Sequence, residues 1–317
     1  MKRIVFFALS LLPVLAAAQP KVRIDRSPTL GVSYMLENKT RPGMVTVLVK
    51  LRDLRNTYAP SENRYLSTQS GDIYRFEVAN NMTRFLSLRP IDKSKPVGYG
   101  AGVYAVYEGC ISSEVDTAFV YRMPCTTMHP VKVRRLTGSE KMPRTGNVRY
   151  AFRCEAGDTV YAARRGIVIR LTKPRERDID LSTLKSTSER TRLTVEHSDG
   201  SMVCYSGFAE WLEPFVSEGD EVLPGQPLGL VGGLTEESDG RYYVLQFLCY
   251  RWIFTDENAS IERFPKVVGE SIVPRFATTE GAIIIPDKGE YRAVMNDELL
   301  TREMTKREVK KLKGNKK

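Results

Sequence analysis

A repeated turn-and-strand motif constrains the fold of this chain most strongly. Gly157-Asp158-Thr159-Val160 and Gly219-Asp220-Glu221-Val222 share the pattern Gly-Asp-x-Val, and each precedes a β-rich stretch with further glycines. Glycine supplies the positive backbone φ that tight hairpin turns require. Two such halves predict a duplicated hybrid fold, an antiparallel β-sheet domain, in the second half of the chain.

The first half of the sequence is also β-like. Short runs rich in valine and tyrosine, at 44–51, 73–78 and 103–107, are separated by turn residues. Runs of this length predict an all-β sandwich of roughly 100 residues. The glycines of 98–102 resemble a phosphate loop, but the helix that this motif requires has no sequence signal after them.

These patterns divide the 317 residues into four predicted segments. A basic, turn-rich stretch, 132–149, is interpreted as the connection between the two β domains. The four segments are a signal peptide (1–18), a β-sandwich domain (19–137), a second β domain (138–256) and a C-terminal extension with a basic tail (257–317).

The C-terminal extension is poorly periodic up to its last part. One strand candidate lies at 282–285, and the segment 296–317 is charged on nearly every turn. This composition predicts a short solvated helix that frays into a disordered basic end. The tail could bind a polyanion, and simple solvation explains its charge equally well.

The N-terminus has the features of an export signal. Lys2 and Arg3 precede an apolar stretch, and Ala16-Ala17-Ala18 provides the small residues that a signal peptidase requires. Cleavage is predicted before Gln19. Pro13 interrupts a run already too short for a membrane anchor. We therefore expect an exported protein of the periplasm or cell envelope, with no membrane span after cleavage.

The net charge limits the classes of partner, and the cysteine content limits the possible disulfides and metal sites. The formal net charge is +10, and a basic exported protein tends to meet acidic surfaces such as anionic wall polymers, lipid head groups or an acidic protein. Nucleic acid is not expected outside the cytoplasm. Five cysteines are an odd number, so at least one lacks an intramolecular partner, and no CxxC spacing indicates a structural zinc cluster.

Three linked segments resemble the lysostaphin-type (LytM-like) zinc peptidases, which cut cell-wall peptides. Segment 157–168 resembles the first strand and hairpin of that family, 195–200 its β-turn, and 216–229 its most recognisable loop and strand. The segments follow the order and spacing of the family over about a third of the chain. The resemblance implies the fold of these peptidases for the second domain.

The loop of the last of these segments has a second resemblance. Residues 219–228 also resemble a biotinyl or lipoyl domain, or the hairpin of an efflux adaptor. A carrier domain needs a lysine at the following hairpin tip, and 231–236 has none. An adaptor needs a long coiled coil, for which the insert 172–188 is too short.

The resemblance implies positions for the histidines of the peptidases, and these positions hold other residues. The histidine that ends the strand after the β-turn is replaced by Gly207, and the His-x-His pair by Val244 and Gln246. The upstream ligands, a His and an Asp, fall near Asn147 and Ala151, or at Arg153 with a small gap. Zinc needs such ligands and an open position for the attacking water.

Other residues do not restore the set of ligands. The chain has two histidines, His129 and His197, and the second lies at the β-turn, where the family often has an ordinary histidine. Cys204 and Cys249 are each three residues from a vacated position. Strand alternation therefore predicts that both thiols point away from the groove, as a buried pair or a disulfide.

A retained scaffold without zinc ligands implies binding or regulation, with no cofactor. Five residues share one predicted groove face by strand parity, and five basic residues form a predicted rim, unless they are merely solvated. The groove candidates are Tyr205, Gly207, Val244, Gln246 and Leu248. The rim candidates are Arg175, Arg177, Lys185, Arg190 and Arg192.

The sequence thus predicts an exported protein with an inactive peptidase-like domain. It would bind peptidoglycan, or regulate or scaffold a cell-wall hydrolase or an envelope complex. Two alternatives stay open. One is an active zinc-dependent peptidoglycan endopeptidase with atypical ligands, and the other is a purely structural envelope protein.

Overall fold

The chain is described by a computed structural model, which is mostly β-sheet. Strands account for 56% of it and helices for 7%, which confirms the predicted all-β class. Among the described residues, no helix is long and apolar enough to cross a membrane. The described residues are 20–27, 31–38, 41–68, 71–79, 84–111, 114–137, 148–155, 157–173, 191–209, 214–232, 234–237, 240–255 and 264–314.

Two antiparallel sheets pack face to face in the N-terminal part of the chain. One sheet has the order β1-β2-β6, and the other has the order β4-β5-β3-β7, with a 3-10 turn (Ser61–Asn63) before β4. The seven strands are β1 (Lys21–Ser27), β2 (Gly31–Glu37), β3 (Met44–Arg55), β4 (Arg64–Thr68), β5 (Gly71–Ala79), β6 (Arg84–Leu88) and β7 (Gly98–Glu108).

Strand β3 is the centre of this sandwich and is covered on both faces. Val45, Val47 and Val49 lie in the core between the sheets. On the opposite face, the buried Thr46 hydroxyl donates to the Gly109 carbonyl at 2.8 Å. The chain that follows β7 therefore seals the outer face of β3.

The second half of the chain is built around a ten-stranded sheet. Its main path is β15-β12-β13-β14-β18-β10-β9-β22, and β17 and β19 also pair with the long strand β18. A three-stranded sheet, β21-β20-β8, and a two-stranded pair, β11-β16, complete this half.

The fifteen strands of this half follow one another closely along the chain. They are β8 (Val120–Arg122), β9 (Val131–Leu136), β10 (Arg149–Cys154), β11 (Thr159–Tyr161), β12 (Gly166–Thr172), β13 (Arg192–Glu196), β14 (Met202–Ser206), β15 (Glu221–Val222), β16 (Pro227–Leu230), β17 (Leu234–Glu237), β18 (Gly240–Thr255), β19 (Lys266–Ser271), β20 (Arg275–Thr278), β21 (Gly281–Ile283) and β22 (Lys288–Tyr291).

The second hydrophobic core extends beyond the segment predicted for it. The core cluster begins at Phe119 and ends at Ala293, whereas the sequence placed this domain at 138–256. The predicted boundary at 137/138 falls between β9 and β10, which pair within one sheet. The strand candidate at 282–285 corresponds to β21 and to the residues that follow it.

Two short helices end the described chain. Helix α1 (Asp297–Thr301) begins after the N-cap Asn296, whose side chain accepts from the Leu299 N–H. Helix α2 (Lys306–Gly314) has no buried residue. Its outer side is solvated as predicted, but ion pairs fasten its inner side to the second β domain, as described below.

One buried carboxylate connects the two halves of the molecule. Glu196, at the end of β13, accepts the backbone N–H of Met44 at 2.7 Å and that of Cys110 at 3.0 Å. Burial raises the pKa of this carboxyl, and the two backbone donors oppose that shift. The first residue of β3 and the chain after β7 are thereby held against the second domain.

Candidate functional site: a basic groove on the second sheet

A groove of about 600 Å³ lies on the outer face of the ten-stranded sheet. Strands β9, β10, β18 and β22 contribute its floor and walls. Most of the lining side chains belong to the set of alternate residues that faces away from the core, and Val133 and Gly289 also border the groove. Its lining residues are Lys132, Val133, Arg134, Leu136, Ala151, Arg153, Tyr242, Val244, Gln246, Lys288, Gly289 and Glu290.

Cross-strand register aligns part of this lining into one row. Residues directly opposite each other in an antiparallel pair share a face. The row crosses six strands and continues from the groove toward β13. Its members, in order, are Lys288, Arg134, Ala151, Gln246, Ser206 and Arg192.

The charge of the groove is predominantly positive. Lys132, Arg134 and Lys288 are exposed along β9 and β22, and Glu290 is the acidic residue of the lining. Cations that line a concave surface concentrate the field and attract anionic ligands. The floor between them is apolar or uncharged, so the groove combines anion attraction with a surface that can pack against carbon atoms.

Arg153 is held over an aromatic ring at one side of the groove. Its guanidinium carbon lies 4.3 Å from the centroid of the Tyr242 ring, a cation–π geometry. Arg153 is also directly opposite Val244 in the β10–β18 pair. The ring stacking fixes a planar, bidentate donor at the level of the floor.

The structure brings together the positions at which the resemblance implied histidines. Ala151 is directly opposite Gln246, and both line the groove with Val244. Gly207 follows the end of β14, where an added Cβ would lie 2.2 Å from the Val244 carbonyl oxygen. Asn147, the other upstream position, lies outside the described residues.

These residues do not fit a zinc ion. Ala151 and Val244 carry no donor atom, Gly207 has no side chain, and the amide of Gln246 is a weak ligand compared with histidine or carboxylate. Among the described residues, no cluster of three or more His, Cys, Asp or Glu could hold a metal. We therefore assign no zinc-dependent reaction to this groove.

Gly207 is fixed by its backbone conformation. Its φ is +108°, in the region that favours glycine, and its carbonyl accepts the Gly232 N–H at 3.0 Å. A histidine here would need both a strained φ and a movement of β18. The backbone at this position therefore favours glycine over histidine.

The assignment of Tyr205 to the groove is wrong. Tyr205 is opposite Phe247, lies in the core with 0% exposure, and its hydroxyl accepts the Ala163 N–H at 2.8 Å. The prediction assumed that side chains alternate between the two faces as far as Gly207. The positive φ at Gly207 interrupts this alternation. Leu248 is opposite Cys204 and is half-buried on the groove side of the sheet.

Cys204 and Cys249 were expected to form a buried pair or a disulfide, and the structure contains no disulfide between them, since all five cysteines are free. Cys204 pairs with Leu248 and Cys249 with Val203, which places the two thiols on opposite faces of β14 and β18. Cys204 shares the groove-side face rather than pointing away from it. Burial raises the pKa of Cys249 to about 12, so this thiol is protonated at neutral pH.

One predicted rim residue can be placed. Arg192 lies on the groove side of β13, opposite Ser206, two strands away from Gln246. The other four rim candidates lie outside the described residues; they are Arg175, Arg177, Lys185 and Arg190.

The basic wall of β9 and β22 was missed in the sequence. Residues 132–149 were interpreted as a connection because lysine and arginine dominate them. The signal was present as alternation, since Val131 and Val133 are buried whereas Lys132 and Arg134 are exposed. The pairing of β9 with a strand more than 150 residues later could not be read from local pattern.

The chain was compared with protein families, curated proteins and solved structures. No family description and no curated protein matches it. Two structures of Helicobacter pylori Csd3, from hexagonal and orthorhombic crystals, are similar at 13% identity each, with TM-scores of 0.29 and 0.27. The matches cover 73% and 94% of this chain and 67% and 76% of those chains. TM-scores this low do not establish a shared fold.

Proposed function

We propose that this chain is an exported cell-envelope protein that binds carboxylate-bearing peptides of peptidoglycan in the basic groove without cutting them. The observation that carries the proposal is the convergence of Ala151, Val244 and Gln246 in a groove walled by cations. The resemblance to lysostaphin-type peptidases implies metal ligands at Gln246 and near Ala151, and an assisting catalytic histidine at Val244.

The chemistry of the groove supports a peptide ligand. Wall peptides carry several carboxylates along an extended backbone, and Arg134, Lys288 and Arg153 can pair with them. Hydrogen bonds to charged groups are stronger than neutral ones. The apolar floor at Ala151 and Val244 can pack against the small side chains of such a peptide, and the Gln246 amide can both donate to and accept from its backbone.

The same geometry supports a non-catalytic role. Hydrolysis of a peptide bond requires an activated water and a group that stabilises the developing oxyanion. The residues at the vacated positions cannot hold the metal that would supply both. The groove is therefore complementary to a peptide but lacks the groups that its hydrolysis requires.

The test is calorimetric titration of the exported chain (residues 19–317) with soluble peptidoglycan stem peptides, together with analysis of the peptides after incubation. We expect binding with intact peptides. The double variant Arg134→Gln, Lys288→Gln should lose at least about tenfold in affinity because two charged contacts are removed. Lys21→Gln, Lys93→Gln, which removes the same charge from two exposed lysines of the N-terminal half, is the matched control.

Each contrary outcome points to a different alternative. Release of cleaved peptides would identify an active endopeptidase with atypical ligands. Absence of binding by the wild-type chain would overturn the peptide-binding proposal. Equal losses in the groove variant and in Lys21→Gln, Lys93→Gln would show that net charge, and not the groove, governs binding.

A further inference from the structure

The outer face of α2 is uniformly basic. Five of its nine residues are basic and exposed, and no acidic residue lies among them. At 100° per residue they cover one continuous side of the helix. They are Lys306, Arg307, Lys310, Lys311 and Lys313.

The opposite face of α2 is turned toward the protein. Glu308, Val309 and Leu312 occupy it and are partly buried. The Glu308 carboxylate accepts from the Arg165 guanidinium at 2.7 Å and from the Thr305 N–H at 2.6 Å. The helix is thus fixed by its single acidic residue, with the cations directed outward.

The attachment of this segment is reinforced in the buried interior. Arg164 is 3% exposed and pairs with Glu303 at 2.8 Å and with Asp199 at 3.0 Å. Its guanidinium carbon also lies 3.7 Å from the centroid of the Phe119 ring. A buried arginine with its partners in place orients the turn that leads into α2, so the basic face has a defined direction on the molecule.

We propose that the outer face of α2 docks on the surface of an anionic phospholipid bilayer. Clusters of four to eight lysines and arginines on an amphipathic helix are typical of binding to anionic lipids. A protein partner is less suited to this face, because protein interfaces are depleted in lysine and carry an apolar centre. The apolar residues of α2 face inward, so the contact is electrostatic and involves no insertion.

The experiment is co-sedimentation of the exported chain (residues 19–317) with vesicles. One preparation contains one part phosphatidylglycerol to three parts phosphatidylcholine, and the other is pure phosphatidylcholine. We expect binding to the first only, in about 0.1 M salt, and release at several-fold higher salt because the charges are screened.

A variant with two neutralised lysines localises the contact. Lys310→Gln, Lys311→Gln should bind anionic vesicles about 30-fold more weakly, since each lysine near an anionic surface contributes a factor of about five. Both side chains are exposed, so the fold and the peptide groove are left intact. The matched control is Lys21→Gln, Lys93→Gln, which removes the same charge from exposed sites of the N-terminal half.

Three results would overturn the proposal. They are equal weakening in both double variants, binding to pure phosphatidylcholine, and binding to soluble polyglutamate in the absence of binding to anionic vesicles. The last result would assign the face to an acidic macromolecule. Titration of the α2 variant with stem peptides separates the membrane proposal from the groove proposal. Failure of the membrane proposal would not affect the groove proposal.

Discussion

Two constraints, backbone strain and steric overlap, disfavour a Cβ atom at Gly207. Its φ of +108° disfavours any residue with a Cβ, and that Cβ would lie 2.2 Å from the Val244 carbonyl oxygen. Gly157 has a similar φ of +80° but open space around the same position. The two glycines therefore separate backbone strain from steric overlap.

We expect Gly207→Ala to destabilise the protein more than Gly157→Ala. Strain at positive φ costs on the order of 1 kcal/mol at either site, and the overlap with β18 should add at least about 1–2 kcal/mol at Gly207 alone. Urea unfolding of the two variants measures this difference. Equal losses would show that β18 relaxes easily, and Gly207→His could then be tested for restored zinc binding.

His197 is a buried neutral imidazole. Burial and, to a smaller extent, the nearby Arg164 guanidinium lower its pKa to about 3, against the opposing contact of Nδ1 with the Arg165 carbonyl. The unfolded chain takes up this proton near the ordinary histidine pKa of about 6.5. Stability contributed by neutral His197 is therefore present above pH 6.5 and is lost as pH falls from there toward 3.

The expected loss between pH 7 and pH 5 is about 2 kcal/mol in the free energy of unfolding. His197→Asn keeps a donor for the Arg165 carbonyl and has no titrating ring. This variant should show a shallower pH dependence, although it is less stable at pH 7. Denaturant titrations at several pH values give the two slopes, and parallel slopes would contradict a buried, neutral His197.

At the scale of elements, α2 shows how a short charged segment becomes ordered. Thr305 and Glu308 form a capping box: the carboxylate accepts the Thr305 N–H, and the Thr305 hydroxyl accepts the Glu308 N–H at 3.3 Å. This Thr-x-x-Glu signal is legible in the sequence. The ion pair with Arg165, 143 residues away, is not.

Glu308→Gln should detach α2 from the second domain while the cap survives, because glutamine serves in a capping box but not in an ion pair. Hydrogen exchange of the amides in 305–314 should become faster, with little change elsewhere. Glu298→Gln, an exposed acid of α1, is the matched control. Unchanged exchange in 305–314 would mean that the Arg165 pair does not hold the helix.

The same contact predicts a pH response of the wild-type tail. The pairing with Arg165 and the two Thr305 contacts lower the pKa of Glu308 to about 2. A depressed carboxyl pKa stabilises docking above the ordinary value near 4.5, and this contribution is lost as pH falls through 2. Docking of α2 should therefore persist at pH 4 and disappear only in stronger acid.

The wall of the groove illustrates a second property of elements. Strand β9 has a plain alternating pattern, but its partners are β10 and the distant β22. Local alternation shows which residues share a face, and it carries no information about which strand lies alongside. The ionic character of the groove arises from that pairing.

For the whole molecule, Glu196 is one of the contacts that join the two halves, and it is the buried carboxylate among them. Glu196→Gln would keep one acceptor and turn an amide donor toward a backbone N–H, so one buried hydrogen bond would be lost. We expect a loss of about 2 kcal/mol in the free energy of unfolding. Glu280→Gln, at an exposed residue of the same domain, is the control in the same calorimetric scan.

A separation of the two halves would accompany this loss if Glu196 holds them together. Limited proteolysis should then cut Glu196→Gln between 109 and 118 faster than the wild type. Identical cleavage patterns with reduced stability would place the role of Glu196 within the second domain alone.

The sequence by itself determined the all-β class, the strands at 44–51, 73–78 and 103–107, and the glycine-rich turns. These features depend on side-chain periodicity and on backbone freedom, which are properties of neighbouring residues. The absence of histidines at Gly207, Val244 and Gln246 was equally legible.

Only the tertiary structure decided which faces and segments meet. It placed Tyr205 in the core, separated Cys204 from Cys249, joined β22 to β9 and fastened α2 through Arg165. Each of these depends on register between distant strands or on an ion pair across more than 100 residues. The free energy of such pairings comes from burial and charge neutralisation in the assembled fold, and local sequence does not contain it.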